Sequence, residues 1–146
     1  MKNQDYHQSI TTDVSAEEAF QQISSVNKWW TANFKGGTRN LNDIFTLQFG
    51  KNKFTFKVVE VVPSQKLVWL VTDCYMPWLN DKTEWKNTKV VFEISEEKDL
   101  TRIDMTHVGL VPTSECYSVC EVGWGQYFGE SIPKLLATGR GILFND

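Results

Sequence analysis

The chain has 146 residues and a formal net charge of −3, so its length suits one domain, residues 1–146, and its scattered basic residues offer no stripe for a nucleic-acid backbone. Apolar residues make up 41% and charged residues 23%, a balance expected of a soluble globular protein and not of a disordered or membrane-spanning one. A chain of this size buries roughly 68–70% of its unfolded surface, enough for a full core without disulfides or a structural metal.

The first residues, Met1-Lys2-Asn3-Gln4-Asp5, are polar and carry no apolar signal core. The longest apolar run, residues 67–71, is far too short to cross a bilayer. Both features predict a cytoplasmic protein with no stable membrane insertion. The three cysteines, Cys74, Cys116 and Cys120, are an odd number without a secretion signal and are expected as reduced thiols.

Residues 4–13 alternate. Tyr6, Gln8, Ile10 and Thr12 share one face, and Asp5, His7, Ser9 and Thr11 the other, which predicts a strand. Ser15-Ala16-Glu17-Glu18 is a capping box, followed by Ala16, Ala19, Phe20 and Ile23 at helical spacing. A second short helix is predicted over residues 27–32, carrying Trp29 and Trp30. From residue 38 to 108 the signal is β. Phe45, Leu47 and Phe49 alternate with polar residues, as do Phe54, Phe56 and Val58 after a tight turn at Gly50-Lys51-Asn52. Leu67, Trp69 and Val71 follow a turn at Pro63-Ser64-Gln65; then come Val90, Phe92 and Ile94, and a last strand over residues 100–108. Short turns between consecutive strands imply an antiparallel meander. One connection, residues 76–87, is longer, contains Trp78 and Trp85, and is placed at the rim of the sheet.

The period then changes. Tyr117, Cys120, Trp124, Tyr127 or Phe128, Ser131 and Leu135 advance in steps of three and four, which predicts a long amphipathic helix. Thr113 or Ser114 is its expected cap, Gly139 or Gly141 its end, and Pro133 is expected to kink it by removing an amide donor. Such a helix must lay its apolar stripe across the concave face of the sheet. A strongly bent sheet cannot touch a helix along its whole length, so a cavity can remain between them. Gly123, Gly125 and Gly129 either allow close approach or leave room for a ligand.

The order of strand, two short helices, meander and long helix resembles the START-like, or SRPBCC, superfamily. Local segments carry the likeness further: Trp29-Trp30, the stretch from Val59 through Pro63 to Trp69, Thr106-His107-Val108-Gly109-Leu110, and Gly123-Trp124 with Leu135-Leu136, Thr138-Gly139 and Gly141. Together these resemble the branch named for homologues of the activator of the heat-shock protein 90 ATPase. The resemblance implies an α+β helix-grip fold: a curved antiparallel sheet of six or seven strands gripping the C-terminal helix, with two short helices after the first strand. It implies an apolar pocket between sheet and helix. Chaperone activation follows less directly, because the eukaryotic activators carry an additional N-terminal domain. The superfamily also includes polyketide cyclases and lipid-transfer modules, so fold alone does not settle function.

The pocket candidates are Trp30, Phe45, Phe56, Trp69, Phe92, Trp124, Tyr127 and Phe128, with Trp69 and Trp124 on opposite walls; the competing reading is a filled core. Of Trp29 and Trp30, one ring is expected inward and one at the pocket mouth. His107, near Asp104 and Glu115 in sequence, is a candidate general base, against a hydrogen-bonded strand-end histidine. His7 has no candidate partner. Glu60 is a buried acid if the alternation of its strand continues, and an outward carboxylate if Val58-Val59 forms a bulge. Cys116 and Cys120, spaced i, i+4, offer zinc ligands with His107, or two half-buried thiols on an amphipathic stripe; no metal and no cofactor is expected. The leading expectation is a binder of a small apolar or aromatic molecule. The alternatives are a cyclase or hydrolase using Glu60 or His107, and a chaperone-assisting interaction module.

Overall fold

The computed structural model describes residues 4–143. The strands are β1 (Tyr6–Thr12), β2 (Phe34–Gly36), β3 (Ile44–Phe49), β4 (Asn52–Val62), β5 (Lys66–Tyr75), β6 (Lys89–Glu97) and β7 (Leu100–Val108). They form one curved antiparallel sheet in the order β1-β7-β6-β5-β4-β3-β2, so the first strand closes one edge beside the last. Strand β2 is an addition to the sequence reading. It is three residues long and ends at Gly36, too short to show a period.

Two short helices follow β1: α1 (Ala16–Ile23) and α2 (Val26–Trp29). The Ser15 half of the capping box forms as expected, with the Glu18 amide donating to Ser15 Oγ at 3.1 Å, while the Glu18 carboxylate accepts from the Gln22 side chain at 2.6 Å. Helix α1 buries Ala19 and Ile23, and the Trp29 indole donates to the Ile23 carbonyl at 3.0 Å, fixing α2 against α1. Both tryptophans of the pair point inward, Trp29 at 0% and Trp30 at 2% exposure.

The inner face of the sheet follows from register. Phe45 lies opposite Phe56, Leu47 opposite Phe54, Val58 opposite Trp69, Leu67 opposite Phe92, and Val90 opposite His107. Irregularities at Thr55/Phe56 and Val58/Glu60 bend β4, as bulges do. The second adds Val59 to the strand and sets Glu60 opposite Val68, on the outer face. Glu60 is exposed and pairs with Lys66 at 3.6 Å.

The C-terminal helix crosses the inner face as α3 (Tyr117–Gln126), a π-helical turn (Tyr127–Ser131) and α4 (Ile132–Thr138). Pro133 does not break it, contrary to the expected kink. It sits in the first turn of α4, where its missing N–H is least costly, and the preceding π turn carries the Ile132 amide to the Tyr127 carbonyl. Gly139, at φ 85°, ends the helix in the left-handed conformation. The expected cap is also corrected: no side chain within α3 caps it, and Ser114 Oγ instead accepts from the Val111 amide. No helix of the described residues is long and apolar enough to cross a membrane.

Candidate functional site

The start of α3 is capped from another element. The Glu84 carboxylate, in the connection between β5 and β6, accepts from the amides of Glu115 at 2.6 Å and Cys116 at 3.0 Å. An acidic group there meets free amides and the positive end of the helix dipole. The contact is reciprocal. The Glu115 carboxylate accepts from the amides of Asn80 and Asp81, at 2.8 and 3.0 Å, and those bonds hold it below the usual carboxylate range. This double clasp folds the connection back over the helix and brings Trp78 and Trp85 to its side.

Between that connection, the β3–β4 hairpin and α3 lies an apolar cleft of about 90 Å³. Its inner lining is made by Trp30, Phe54 and Trp85 together with Cys120, Trp124 and Tyr127. Its mouth is marked by Trp78 and Val119, which are 46% and 55% exposed. The rings are ordered. Phe54 stacks on Trp85 at 4.5 Å, and Trp85 lies parallel to Trp124, with centroids 6.1 Å apart and 2° between planes. Trp30 meets Trp124 edge-on at 5.2 Å. No charged side chain lines the cleft. Trp78 is held at the mouth by a 2.8 Å bond from its indole N–H to Asn52 Oδ1. Gly123 also lines the cleft, and a Cβ there would meet nothing within 4 Å.

Behind the cleft, His107 is fully buried. The Trp124 indole N–H donates to its Nδ1 at 3.1 Å, and Thr88 Oγ1 is 2.8 Å from its Nε2. Burial pushes the imidazole pKa from 6.5 down to about 3, so the ring is neutral at physiological pH. Its sequence neighbours are engaged elsewhere. Asp104 accepts from Arg102 and Ser9 on the outer face, and Glu115 serves the clasp. His7, read as partnerless, pairs with Asp104 at 3.3 Å.

Of the sequence-derived pocket residues, Trp30, Trp124 and Tyr127 line the cleft. Phe45, Phe56, Trp69, Phe92 and Phe128 do not. They are fully buried in ring-to-ring contact at the centre of the sheet, so Trp69 forms no wall opposite Trp124. Phe54, Trp78 and Trp85 were missed as wall residues; two tryptophans in one long connection were the available signal. Cys116 and Cys120 are buried on α3, and the Trp85 indole N–H points at Cys116 Sγ at 3.3 Å. The hydrogen bond to Cys116, then burial, pushes the Cys120 thiol far above its ordinary range, which disfavours the thiolate needed for attack or metal binding. Among the described residues, no group of three or more His, Cys, Asp or Glu side chains is placed to hold a metal. The arrangement can grip a flat apolar molecule, and no carboxylate, histidine, lysine or arginine stands in its lining.

The profile of one family, described as Activator of Hsp90 ATPase homolog 1-like protein, matches residues 13–137. No curated protein matches the sequence significantly. Among solved structures, the Aha1 dimer from Colwellia psychrerythraea is similar at a TM-score of 0.77 and 21% identity, covering 97% of this chain and 100% of that one. CalU16 from Micromonospora echinospora matches at a TM-score of 0.65 and 18% identity, covering 93% of this chain and 75% of that one. DynU16, a putative protein in the dynemicin biosynthetic locus, matches at 0.68 and 15%; the likeness covers 95% of this chain and 49% of DynU16. At these identities the structural likenesses establish the fold. The family profile, spanning most of the chain, establishes more: this chain belongs to the Activator of Hsp90 ATPase homolog 1-like family, within the START-like (SRPBCC) superfamily.

Proposed function

We propose that this protein binds a small, flat, apolar or aromatic molecule in the cleft between α3 and the β5–β6 connection. One observation carries the reading: the cleft opens to solvent and is lined by aromatic rings with no charged side chain. Apolar cavities of roughly 150 Å³ accept a benzene ring, and sites for larger ligands span roughly 300–1,000 Å³. At about 90 Å³ the cleft, with Trp78 across its mouth, admits neither. Binding therefore requires Trp78 to swing outward and release Asn52. Trp78 is suited to this, being half exposed and fastened across the mouth by a neutral hydrogen bond.

A cyclase or hydrolase reaction draws less from the geometry. Glu60 faces away from the interior, His107 has both ring nitrogens engaged, and the Cys120 thiol is held protonated. A chaperone-assisting role has one observation in its favour: Val119 and Val122 are 55% and 60% exposed on α3 beside the mouth. Val122 lies outside the cleft lining and separates the two readings. Val122→Lys spares ligand binding under the first and removes stimulation of a chaperone ATPase under the second.

The test is native mass spectrometry of freshly purified protein together with titration of the neutral fluorescent probe N-phenyl-1-naphthylamine. The expected result is a co-purified molecule or saturable probe binding that changes tryptophan emission, with faster binding in Trp78→Ala. Absence of any bound species and of any probe response, in both the natural protein and Trp78→Ala, would sink the reading.

A further inference from the structure

Resting on that binding reading, we infer that His107 is the positioning residue of the cleft: it sets the plane of the Trp124 indole and, through Thr88, the place of Trp85. His107 is not in the cleft lining and touches no ligand there; it acts on the two walls from behind.

The hydrogen bonds fix a direction. An indole N–H only donates, so His107 Nδ1 must accept from Trp124 and the ring proton must sit on Nε2. Nε2–H then donates to Thr88 Oγ1, 2.8 Å away. Because that lone pair of Thr88 is used, its own hydroxyl proton goes to the Trp85 carbonyl at 2.6 Å. A single relay thus runs from α3, through β7, to the connection that carries Trp85, with each donor matched to an acceptor.

The rings agree with the relay. Trp85 stands at 89° to the imidazole with centroids 4.5 Å apart, and Trp124 at 87° with centroids 5.9 Å apart. The two indoles are also parallel to each other within 2°, an arrangement that their upright contacts with the imidazole permit and the relay holds in place. Space for the relay depends on Gly109. At φ +102°, its missing Cβ would lie 2.7 Å from Thr88 Cγ2, so any side chain there pushes Thr88 out of line. A pair of parallel indole faces, held before the ligand arrives, is what a flat ring needs in order to stack without first ordering its site.

The test compares His107→Leu, which removes the acceptor, with His107→Asn, whose side-chain carbonyl can take the Trp124 proton in place of Nδ1. Two readouts are needed: affinity for N-phenyl-1-naphthylamine, and the Trp124 indole N–H signal and its exchange rate by NMR. Loss of one neutral hydrogen bond predicts an affinity drop of about tenfold in His107→Leu, with a rapidly exchanging indole proton. His107→Asn should return affinity to within about threefold of the natural protein and restore slow exchange. If His107→Leu does not fold, Thr88→Val serves, since it leaves the Trp124 bond and removes the whole link from His107 Nε2 to Trp85; it should weaken the probe by about threefold. A folded His107→Leu that binds as the natural protein does, an Asn variant no better than Leu, or an unchanged Thr88→Val would overturn the inference. If neither the natural protein nor Trp78→Ala carries a bound species or responds to the probe, the binding reading fails by itself. The positioning role is then judged by the indole proton, and slow exchange persisting in His107→Leu would overturn it.

Discussion

The centre of the sheet and the end near the β3–β4 hairpin are built from the same residue types, but only the second retains space. At the centre, Trp69 meets Phe45 and Phe92 edge-to-face at 5.0 and 4.9 Å and lies parallel to Trp29 at 6.5 Å, while Phe128 closes on Phe92 from the helix. Among the described residues its buried indole nitrogen has no hydrogen-bond acceptor. At the hairpin end, Trp85 and Trp124 have matched polar tips, and α3 presents Gly123 where a side chain would fill the gap. The same helix uses glycine in the opposite sense one stretch later. At Gly129 a Cβ would run into the Gln8 side chain, so that glycine serves close approach to β1. Aromatic content alone therefore makes a core. What makes a cleft is a missing side chain on the gripping helix and a connection clasped over it.

The sharpest way to break this comparison is to truncate one ring from each region. Trp69→Ala should cost about 3–5 kcal/mol, as large core truncations do. Trp78→Ala, at a half-exposed position, should stay within about 0.5 kcal/mol. Urea denaturation of both variants measures the difference; equal losses would mean that the two regions are packed alike.

Acid should separate them next. His107 is neutral and buried in the folded protein, with its pKa pushed from 6.5 to about 3. Below about pH 6.5 the unfolded chain takes up a proton that the folded chain refuses, so stability falls as pH drops and levels off near pH 3. The slope is about 1.4 kcal/mol per pH unit, or about 2 kcal/mol between pH 6.5 and 5. In His107→Asn that slope should flatten. An identical slope in the variant would assign the acid sensitivity to other groups.

The fold was legible because its longer elements state their own period. The alternation from Phe45 to Val71 marks the inward face, the Ser15 box marks the start of α1, and Gly139 and Gly141 bracket the end of the last helix, which the structure places at Gly139. The site was legible only in part. Parity along a strand says that Phe56 and Trp69 point inward, but not which end of the sheet the helix leaves open. That depends on the clasp between Glu84 and Glu115, residues 31 apart in sequence with no period linking them. The bulge at Val59 is the same kind of problem, since one extra residue reverses the face of Glu60 and no local signal demands it. Likewise the π turn before Pro133 absorbs a break that sequence rules assign to the proline.

The central claim, that the space beside α3 is a ligand site and not a packing defect, is tested most directly at Gly123. A leucine there places its Cβ clear of every neighbour, gains about 0.5–1 kcal/mol from helix propensity, and is expected to extend into the cleft that Gly123 lines. The measurement is probe affinity and thermal stability of Gly123→Leu beside the natural protein. The account predicts equal or higher stability with probe binding lowered more than about tenfold, the scale of one strong contact. A stable Gly123→Leu that binds the probe with unchanged affinity would contradict it.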